Sequence, residues 1–226
     1  MKVLFINPNR TPALNMGLTY VMSAVEKEHQ VGFLDLGLYG KQCRRVLEKH
    51  VNDDVRVVAF SAFTHNFQNA LQAAQLIKGL SPATKIIFGG VHPTLCPEEV
   101  MAQPAIDALC IGEGEGAFKE YLDCLSQGQE PLVRGIWFKN RRGDWVQNPP
   151  RPFCQDLDTL AFPNWDYWDL DYYIHKLDER LGFISSRGCP YGCSFCSNPA
   201  LRKVIPGDFL RQRIARQVIT EIEFSI

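Results

Sequence analysis

Short apolar runs alternate with amphipathic stretches over residues 1–128, and this alternation limits the possible folds more than any other feature of the sequence. Runs that are apolar at nearly every position are typical of strands covered on both faces. Five strands that alternate with helices predict an α/β fold with a doubly wound, five-stranded parallel sheet. The predicted strands cover residues 3–7, 31–36, 55–62, 85–88 and 108–111, and the predicted helices cover 17–28, 41–49, 67–77, 97–101 and 118–125.

Small, glycine-rich and hydrogen-bonding residues concentrate where the predicted strands end. In open parallel sheets, ligands bind beyond the carboxyl ends of the strands. Glycine lets the backbone approach a ligand closely, although it also forms ordinary turns. We therefore expect this edge to bind a ligand, through candidate residues Asn7, Ser61, Thr64, Gly89, Gly90, His92, Gly112, Glu113, Gly114 and Glu115.

The composition excludes some classes of function. Of the 226 residues, 46% are hydrophobic and 22% are charged, with a net charge of −1. This length allows one or two domains. The near-neutral charge argues against a nucleic-acid-binding surface, and no apolar run approaches the ~20 residues that span a bilayer. A solvated helix face explains the one basic cluster at least as well as a phosphate site does; the cluster contains Arg202, Lys203, Arg211, Arg213 and Arg216.

Three of the eight cysteines, Cys189, Cys193 and Cys196, form a C-x3-C-x2-C run that places three thiols on one short loop. Such soft ligands suit an iron–sulfur cluster or zinc. A zinc site normally has four ligands, and only the distant His175 or Cys154 could supply the fourth. The chain length and the absence of a secretory leader argue against disulfides and favour the cytoplasm. The other cysteines are expected to pack singly as small hydrophobic side chains: Cys43, Cys96, Cys110, Cys124 and Cys154.

The cysteine run, with Phe195 directly before the third cysteine, resembles the cluster loop of the radical S-adenosylmethionine enzymes. The resemblance implies that Cys189, Cys193 and Cys196 ligate a [4Fe-4S] cluster. It also implies that the remaining iron chelates the methionine part of S-adenosylmethionine and that Phe195 lies near the adenine. In that family the reduced cluster cleaves the sulfonium, which gives methionine and a 5′-deoxyadenosyl radical.

The stretches 17–20, 88–94 and 111–115 look like the vitamin B12-binding domain that precedes the radical barrel in one large subclass. The likeness spans nearly all of residues 1–128, implies a Rossmann-like cobalamin-binding domain, and adds Gly17 to the candidate residues. The pattern D-x-H-x-x-G, whose histidine ligates cobalt from below, does not occur. We therefore expect cobalamin to bind without a histidine ligand. Two roles explain His92 equally well: a histidine whose hydrogen bonds are satisfied within a turn, or a residue that lines the pocket.

Residues 129–180 are expected to connect two units. Residues 136–139 and 145–148 flank a polar turn that contains glycine, which predicts a β-hairpin. A proline-rich stretch then stiffens the connector. The aromatic-rich stretch 157–173 is better explained by packing between units than by a substrate platform, and residues 156–163 resemble the linker of the same subclass.

Residues 181–226 are expected to begin a radical barrel. Residues 181–185 would be its first strand, and residues 213–224 its first helix, which lacks a capping residue and has Ile214, Val218 and Ile222 on one face. This is one of eight strand–helix units in a full barrel. The sequence thus predicts a split or truncated protein, whose partner would be a separately encoded remainder of the barrel.

These observations favour a fragment or subunit of a cobalamin-dependent radical S-adenosylmethionine enzyme, related to methyltransferases and oxidative cyclases. The small-molecule substrate is not defined, and no catalytic residue is assignable. One alternative is a corrinoid-binding module with a catalytically inert barrel remnant. Another is a structural or zinc-binding protein.

Overall fold

The computed structural model of the protein describes residues 1–176 and 180–225; residues 177–179, at the end of the predicted linker, and residue 226 lie outside the described residues. None of the described helices has the length and apolarity needed to cross a membrane. The described strands are β1 (Lys2–Asn7), β2 (Gln30–Asp35), β3 (Val55–Ser61), β4 (Lys85–Gly89), β5 (Ala108–Cys110), β6 (Ile136–Lys139), β7 (Trp145–Gln147), β8 (Ser186–Arg187) and β9 (Arg211–Gln212). The described α-helices are α1 (Met16–Val25), α2 (Cys43–His50), α3 (Phe67–Leu80), α4 (Val91–Leu95), α5 (Pro97–Met101), α6 (Gly114–Ser126), α7 (Asn198–Val204) and α8 (Ala215–Ser225).

Seven strands form one sheet in the order β2-β1-β3-β4-β5-β6-β7. The first five pair in parallel, which confirms the predicted doubly wound sheet. The strand order reverses between β1 and β3, and such a switch point is where open parallel sheets bind ligands. The predicted hairpin, β6 and β7, joins the same sheet in antiparallel pairing with β5 and extends it from five strands to seven.

Alternate residues of the central strands enter two separate cores. In β1, Val3 and Phe5 pack with residues of α1 and α6, whereas Leu4 and Ile6 pack with residues of α2 and α3. Side chains of a strand alternate between the two faces of a sheet. A sheet covered on both faces therefore needs strands that are apolar at every position, as the sequence has.

The aromatic stretch after the hairpin packs on the sheet domain. Trp165, Trp168 and Tyr173 form a buried cluster against residues of β2 and α1. Trp168 Nε1 donates a hydrogen bond to Thr19 Oγ1 at 3.0 Å, and the Tyr173 hydroxyl donates to the Asp35 carboxylate. The segment therefore has the packing role that the sequence favoured.

The strand before the cysteine loop differs from its prediction. Residues 181–185 form no strand; the two-residue β8 follows them and pairs with β9 in antiparallel orientation. Gly188 allows the two segments to approach closely, because its φ of +93° suits glycine and a Cβ at this position would collide with the backbone of Phe209. The close approach of these two segments sets the pairing, which the apolar run of 181–185 does not reveal.

Helix α8 lies near its predicted position but buries a different side chain. Glu221 is fully buried, whereas Ile214 of the predicted apolar face is 66% exposed. The cap that is absent from the local sequence comes from the linker, because the Asp158 carboxylate accepts a hydrogen bond from the backbone N–H of Ile214 at 3.0 Å. A carboxylate at this end also suits the helix dipole.

Leu122 on α6 is fully buried, and Leu132 in the following loop is 70% exposed. Leu122→Ala should lower the free energy of unfolding by about 2–5 kcal/mol, since the lost methyl groups leave a cavity. Leu132→Ala, the matched control, should change it by less than about 0.5 kcal/mol. Urea denaturation followed by circular dichroism measures both, and equal effects would contradict the described core.

Candidate functional site

A cavity of about 360 Å³ opens at the carboxyl edge of the sheet, between the sheet and helices α1 and α6. Phe5, Val21 and Phe118 contribute apolar walls, and residues from β1, β3, β4 and β5 line it, so the cavity includes the switch point. Few polar side chains reach it. A concave, mainly apolar site with a few polar groups is typical of a small-molecule or cofactor site.

Eight of the predicted cofactor-binding residues line this cavity. They come from the start of α1 and from the ends of β3, β4 and β5, because the carboxyl ends of parallel strands meet at one edge. The eight are Gly17, Ser61, Gly89, Gly90, Gly112, Glu113, Gly114 and Glu115.

The other four predicted residues lie away from the cavity. Asn7 is buried, and its side-chain amide donates to a backbone carbonyl in the loop after β1 at 2.9 Å. Thr64 and His92 contact each other, with 3.3 Å between Oγ1 and Nδ1. Because α4 begins directly after Gly90, it turns His92 toward Phe67 of α3 rather than toward the cavity. Phe195 is 92% exposed in the cysteine loop.

Two of the lining glycines meet different demands. Gly90 has a φ of +99°, and a Cβ there would lie 2.8 Å from the carbonyl oxygen of Ala62, so the loop after β4 requires glycine to form. At Gly114 a side chain has little room, because a Cβ would lie 3.1 Å from the Val21 side chain and 3.7 Å from Cys110 Sγ. A side chain at position 114 would therefore narrow the cavity.

Two arginines of the cysteine-bearing unit contact the glutamates at the rim of the cavity. Arg187, two residues before Cys189, lies 3.2 Å from Glu113 and 2.6 Å from Glu115. Arg211 donates to Glu113 at 2.9 Å. The side chains are mostly withdrawn from solvent, with exposed fractions between 4% and 18%. Buried charges are costly without a partner, so the four side chains fix the cysteine-bearing unit against the sheet edge. They are called the rim network below.

The rim network keeps Glu113 ionised. Burial by itself would raise the pKa of Glu113, but the hydrogen bond from Arg211 and the charge of Arg187 outweigh it and hold that pKa below its ordinary value. Burial would likewise lower the pKa of Arg187, and the two glutamates raise it instead. Two carboxylates and two guanidinium groups therefore give the cavity a charge-balanced rim.

A second buried pair joins α8 to α1. Arg213 donates to the Glu221 carboxylate, which also accepts from the Tyr20 hydroxyl at 2.9 Å. Burial, followed by the hydrogen bond to Glu221, raises the pKa of Tyr20, so the phenol stays protonated and donates. This contact explains why the buried side chain of α8 is a glutamate.

The cysteine loop follows β8 directly. Cys189 and Cys196 are partly exposed, Cys193 is exposed, and all three thiols are free. In the described part of the chain, the three sulfur atoms do not all lie within 4.8 Å of one another. One zinc ion needs ligands that converge on a point, whereas each cysteine of an iron–sulfur cluster binds a different iron. Three accessible thiols on one short loop are the kind of donor set that an iron–sulfur cluster takes.

The cavity fits one part of a cobalamin. Its apolar walls between the sheet and the helices suit a flat aromatic base such as that of the nucleotide tail. Within the part of the chain that the structure describes, no histidine lines it.

Three further residues at the site were not among those predicted from the sequence. Ile184 and Arg187 line the cavity, and Arg211 completes the rim network. Arg211 and Arg213 belong to the basic cluster for which the sequence left a solvated helix face and a phosphate site open. Neither explanation holds for these two residues, because both are buried against carboxylates. For Arg187, the one feature of the sequence that could have indicated a role at the site was its position directly before Gly188-Cys189.

Glu113→Ala should lower the free energy of unfolding at neutral pH by about 3 kcal/mol, because two buried arginines lose a partner. The lowered pKa of Glu113 means that its contribution is present above the unfolded pKa of about 4.3 and is lost as the pH falls through the lower folded value. The variant should therefore also lose part of the acid sensitivity of the wild type. Urea unfolding at several pH values measures this, with the exposed Glu130→Ala as control; unchanged stability of Glu113→Ala would refute the role of the network.

Comparison with known proteins identifies the family. The B12 binding domain family matches residues 10–122. An uncharacterized methyltransferase of Pyrococcus horikoshii is 33% identical over 214 residues, which cover 88% of this chain and 45% of that protein. The anaerobic magnesium-protoporphyrin IX monomethyl ester cyclase of Rubrivivax gelatinosus is 28% identical over 100% of this chain and 43% of its own length.

A solved structure shows the same fold across the sheet domain and the cysteine-bearing unit. The radical S-adenosylmethionine methyltransferase TsrM from Kitasatospora setae, with cobalamin and a [4Fe-4S] cluster bound, is similar with a TM-score of 0.79 at 22% identity, over 99% of this chain and 46% of that one. The chain thus spans a little under half the length of these relatives. It is a member of the B12-binding domain family.

Proposed function

We propose that this chain is the cofactor-binding portion of a cobalamin-dependent radical S-adenosylmethionine enzyme, related to methyltransferases and oxidative cyclases. One observation carries the proposal: a single cavity is bounded both by the glycine loops of the B12-binding domain and by Arg187, two residues before the first cysteine of the loop. A cobalamin over this cavity and a cluster on this loop would be neighbours, and a shared substrate could reach both.

Each cofactor has its own set of residues in this proposal. Cys189, Cys193 and Cys196 would hold the cluster, which would bind S-adenosylmethionine, and Gly112 and Gly114 would line the site of the cobalamin tail. When bound, these groups supply a 5′-deoxyadenosyl radical and a methyl group. The chain's own part is to bind and to orient them: the rim network fixes the cysteine loop relative to the cavity, and the apolar cavity walls exclude water.

The substrate is proposed only as a small molecule. The two relatives named above are a methyltransferase and a ring-forming cyclase, which supports both kinds of reaction. Because these relatives are more than twice as long, we propose that further barrel segments, in the same or a second polypeptide, complete the substrate site. Thiols that load a cluster must be reduced, which favours a cytoplasmic location.

Cys193→Ala should abolish cluster loading, because Cys193 supplies one of three iron-ligating thiols. After anaerobic reconstitution with iron and sulfide, the wild type should be brown and contain about four irons and four sulfides per chain, as the [4Fe-4S] formula requires. Cys124→Ala, a partly exposed cysteine on α6, is the matched control and should load fully. An equal iron content in both variants would refute the cluster assignment, and bound zinc without sulfide would favour the zinc-binding alternative.

Gly114→Val should weaken the binding of hydroxocobalamin at least about tenfold, because the added side chain meets Val21 and narrows the cavity. Gly79→Val is the matched control, since Gly79 is an exposed helical glycine with open space around it. Equilibrium dialysis measures both variants. No retained corrinoid in the wild type would refute the cavity assignment, whereas corrinoid binding without any iron loading would support the inert-module alternative.

A further inference from the structure

Helices α4 and α5, together with Cys96 between them, bring together three ligating side chains that do not line the cofactor cavity. His92, Cys96 and Glu99 place a ring nitrogen, a thiol and a carboxylate oxygen within 4.8 Å of one another. His92 is 2% exposed, and in the described part of the chain its Nε2 has no hydrogen-bond partner. Buried polar atoms normally have a partner, so an orphaned ring nitrogen that faces a thiol and a carboxylate calls for an explanation.

We propose that His92, Cys96 and Glu99 form a site for a zinc-type divalent metal ion. Imidazole, thiolate and carboxylate are the protein ligands that zinc takes, and three such ligands with water in the fourth position form a complete tetrahedral shell. The thiolate and imidazole favour zinc over the hard ions calcium and magnesium, which take oxygen ligands. Cys96 was expected to be an inert hydrophobic side chain, and this assignment gives it a different role.

The distances require little rearrangement. Two ligands that each lie about 2.1 Å from a tetrahedral zinc ion are about 3.4 Å from each other, and His92 Nε2 lies 3.8 Å from Glu99 Oε2. The buried histidine is the fixed member. Cys96 is partly exposed and the Glu99 side chain is 52% exposed, so both can rotate toward an ion that enters from solvent.

Thr64 and Phe67 hold the imidazole in a suitable orientation. Thr64 Oγ1 lies 3.3 Å from His92 Nδ1, and when the hydroxyl accepts the Nδ1 proton, the lone pair of Nε2 is free for a metal. A metal-bound histidine usually has such a partner on its other nitrogen. The Phe67 ring packs against the imidazole, with 4.2 Å between ring centroids. A bound ion would tie α4 to α5 directly after Gly90, and thereby brace the loop that lines the cofactor cavity.

A second group of potential ligands, around His29, differs in one decisive respect. Glu28, His29 and Asp123 also lie within 4.8 Å of one another. The ammonium group of Lys119 already contacts both carboxylates of this group, and so occupies the place that a metal cation would take. His92, Cys96 and Glu99 have no such cation among their described contacts.

The test starts from a full-length variant in which Cys189, Cys193 and Cys196 are all replaced by alanine, because the cysteine loop would also bind added metal. Titration with Zn²⁺ against a chelator gives the affinity, and Co²⁺ reports thiolate ligation through its charge-transfer absorption. This triple variant should bind one equivalent of metal and show the thiolate band. The result does not depend on the proposed function, since neither cobalamin nor a cluster is present.

Further substitutions on that background identify the ligands. Cys96→Ala should remove the thiolate band, and both Cys96→Ala and Glu99→Gln should weaken Zn²⁺ binding at least about 100-fold, because supporting partners alone contribute 10–100-fold. Thr64→Val should weaken it about 10–100-fold. Cys43→Ala, another partly exposed cysteine, is the matched control and should bind normally. No metal bound by the triple variant, or full affinity in a Cys96→Ala protein whose circular dichroism is native, would overturn the proposal.

Discussion

Arg187 and Arg211 place two guanidinium groups among the carboxylates of Glu113 and Glu115, at the edge where the parallel strands end. All four groups have given up most of their contact with water, and the loss of any one would leave an uncompensated charge that costs several kcal/mol. Because separating these charges is so unfavourable, the rim network holds the cysteine-bearing unit in one position on the sheet domain. Apolar contacts add to it, because Ile205 of that unit belongs to the core that contains α3. The spatial relation between cavity and cysteine loop depends on this network.

The segment Gly112-Glu113-Gly114-Glu115 therefore has two tasks. Its glycines leave volume at the mouth of the cavity, and its glutamates anchor the arginines that carry the cysteine loop. A ligand that displaces the glutamates of the rim would also move Arg187, which lies two residues from Cys189. On the other side of the same edge, Thr64 and His92 support the turn after β4 without touching the cavity. The metal site proposed there would stiffen the edge from the opposite side.

Most of the sheet domain could be predicted because its signals are local. The apolar runs of the five parallel strands and the helical spacing of Phe67, Leu71 and Ile77 are patterns within one stretch of chain, which can be recognised without knowing what covers them. The two additional strands of the sheet were not predicted, because β5 and β6 are separated in the sequence by the whole of helix α6. Helix α4 was missed because one short turn with a proline inside has no periodicity to detect. That helix is also what separates His92 from the cavity.

The candidate site was predictable where small residues mark a strand end, and was not predictable where charges are buried. Arg211 and Glu221 suggest solvent exposure when met in a sequence. They are buried because their partners, Glu113 and Tyr20, lie 98 and 201 residues away along the chain. A pairing over such a distance leaves no local pattern. The same holds for β8, whose register depends on the approach of Gly188 to a backbone about twenty residues further on.

We propose that one rim places a cobalamin and an iron–sulfur cluster side by side, and the magnetic interaction between the two cofactors tests this arrangement most directly. A reduced [4Fe-4S] cluster and cob(II)alamin each carry an unpaired electron, so electron paramagnetic resonance of the doubly loaded chain reports their proximity. We expect dipolar broadening or faster relaxation relative to the sum of the two singly loaded spectra. A spectrum equal to that sum, with both sites shown to be full by metal analysis, would contradict it.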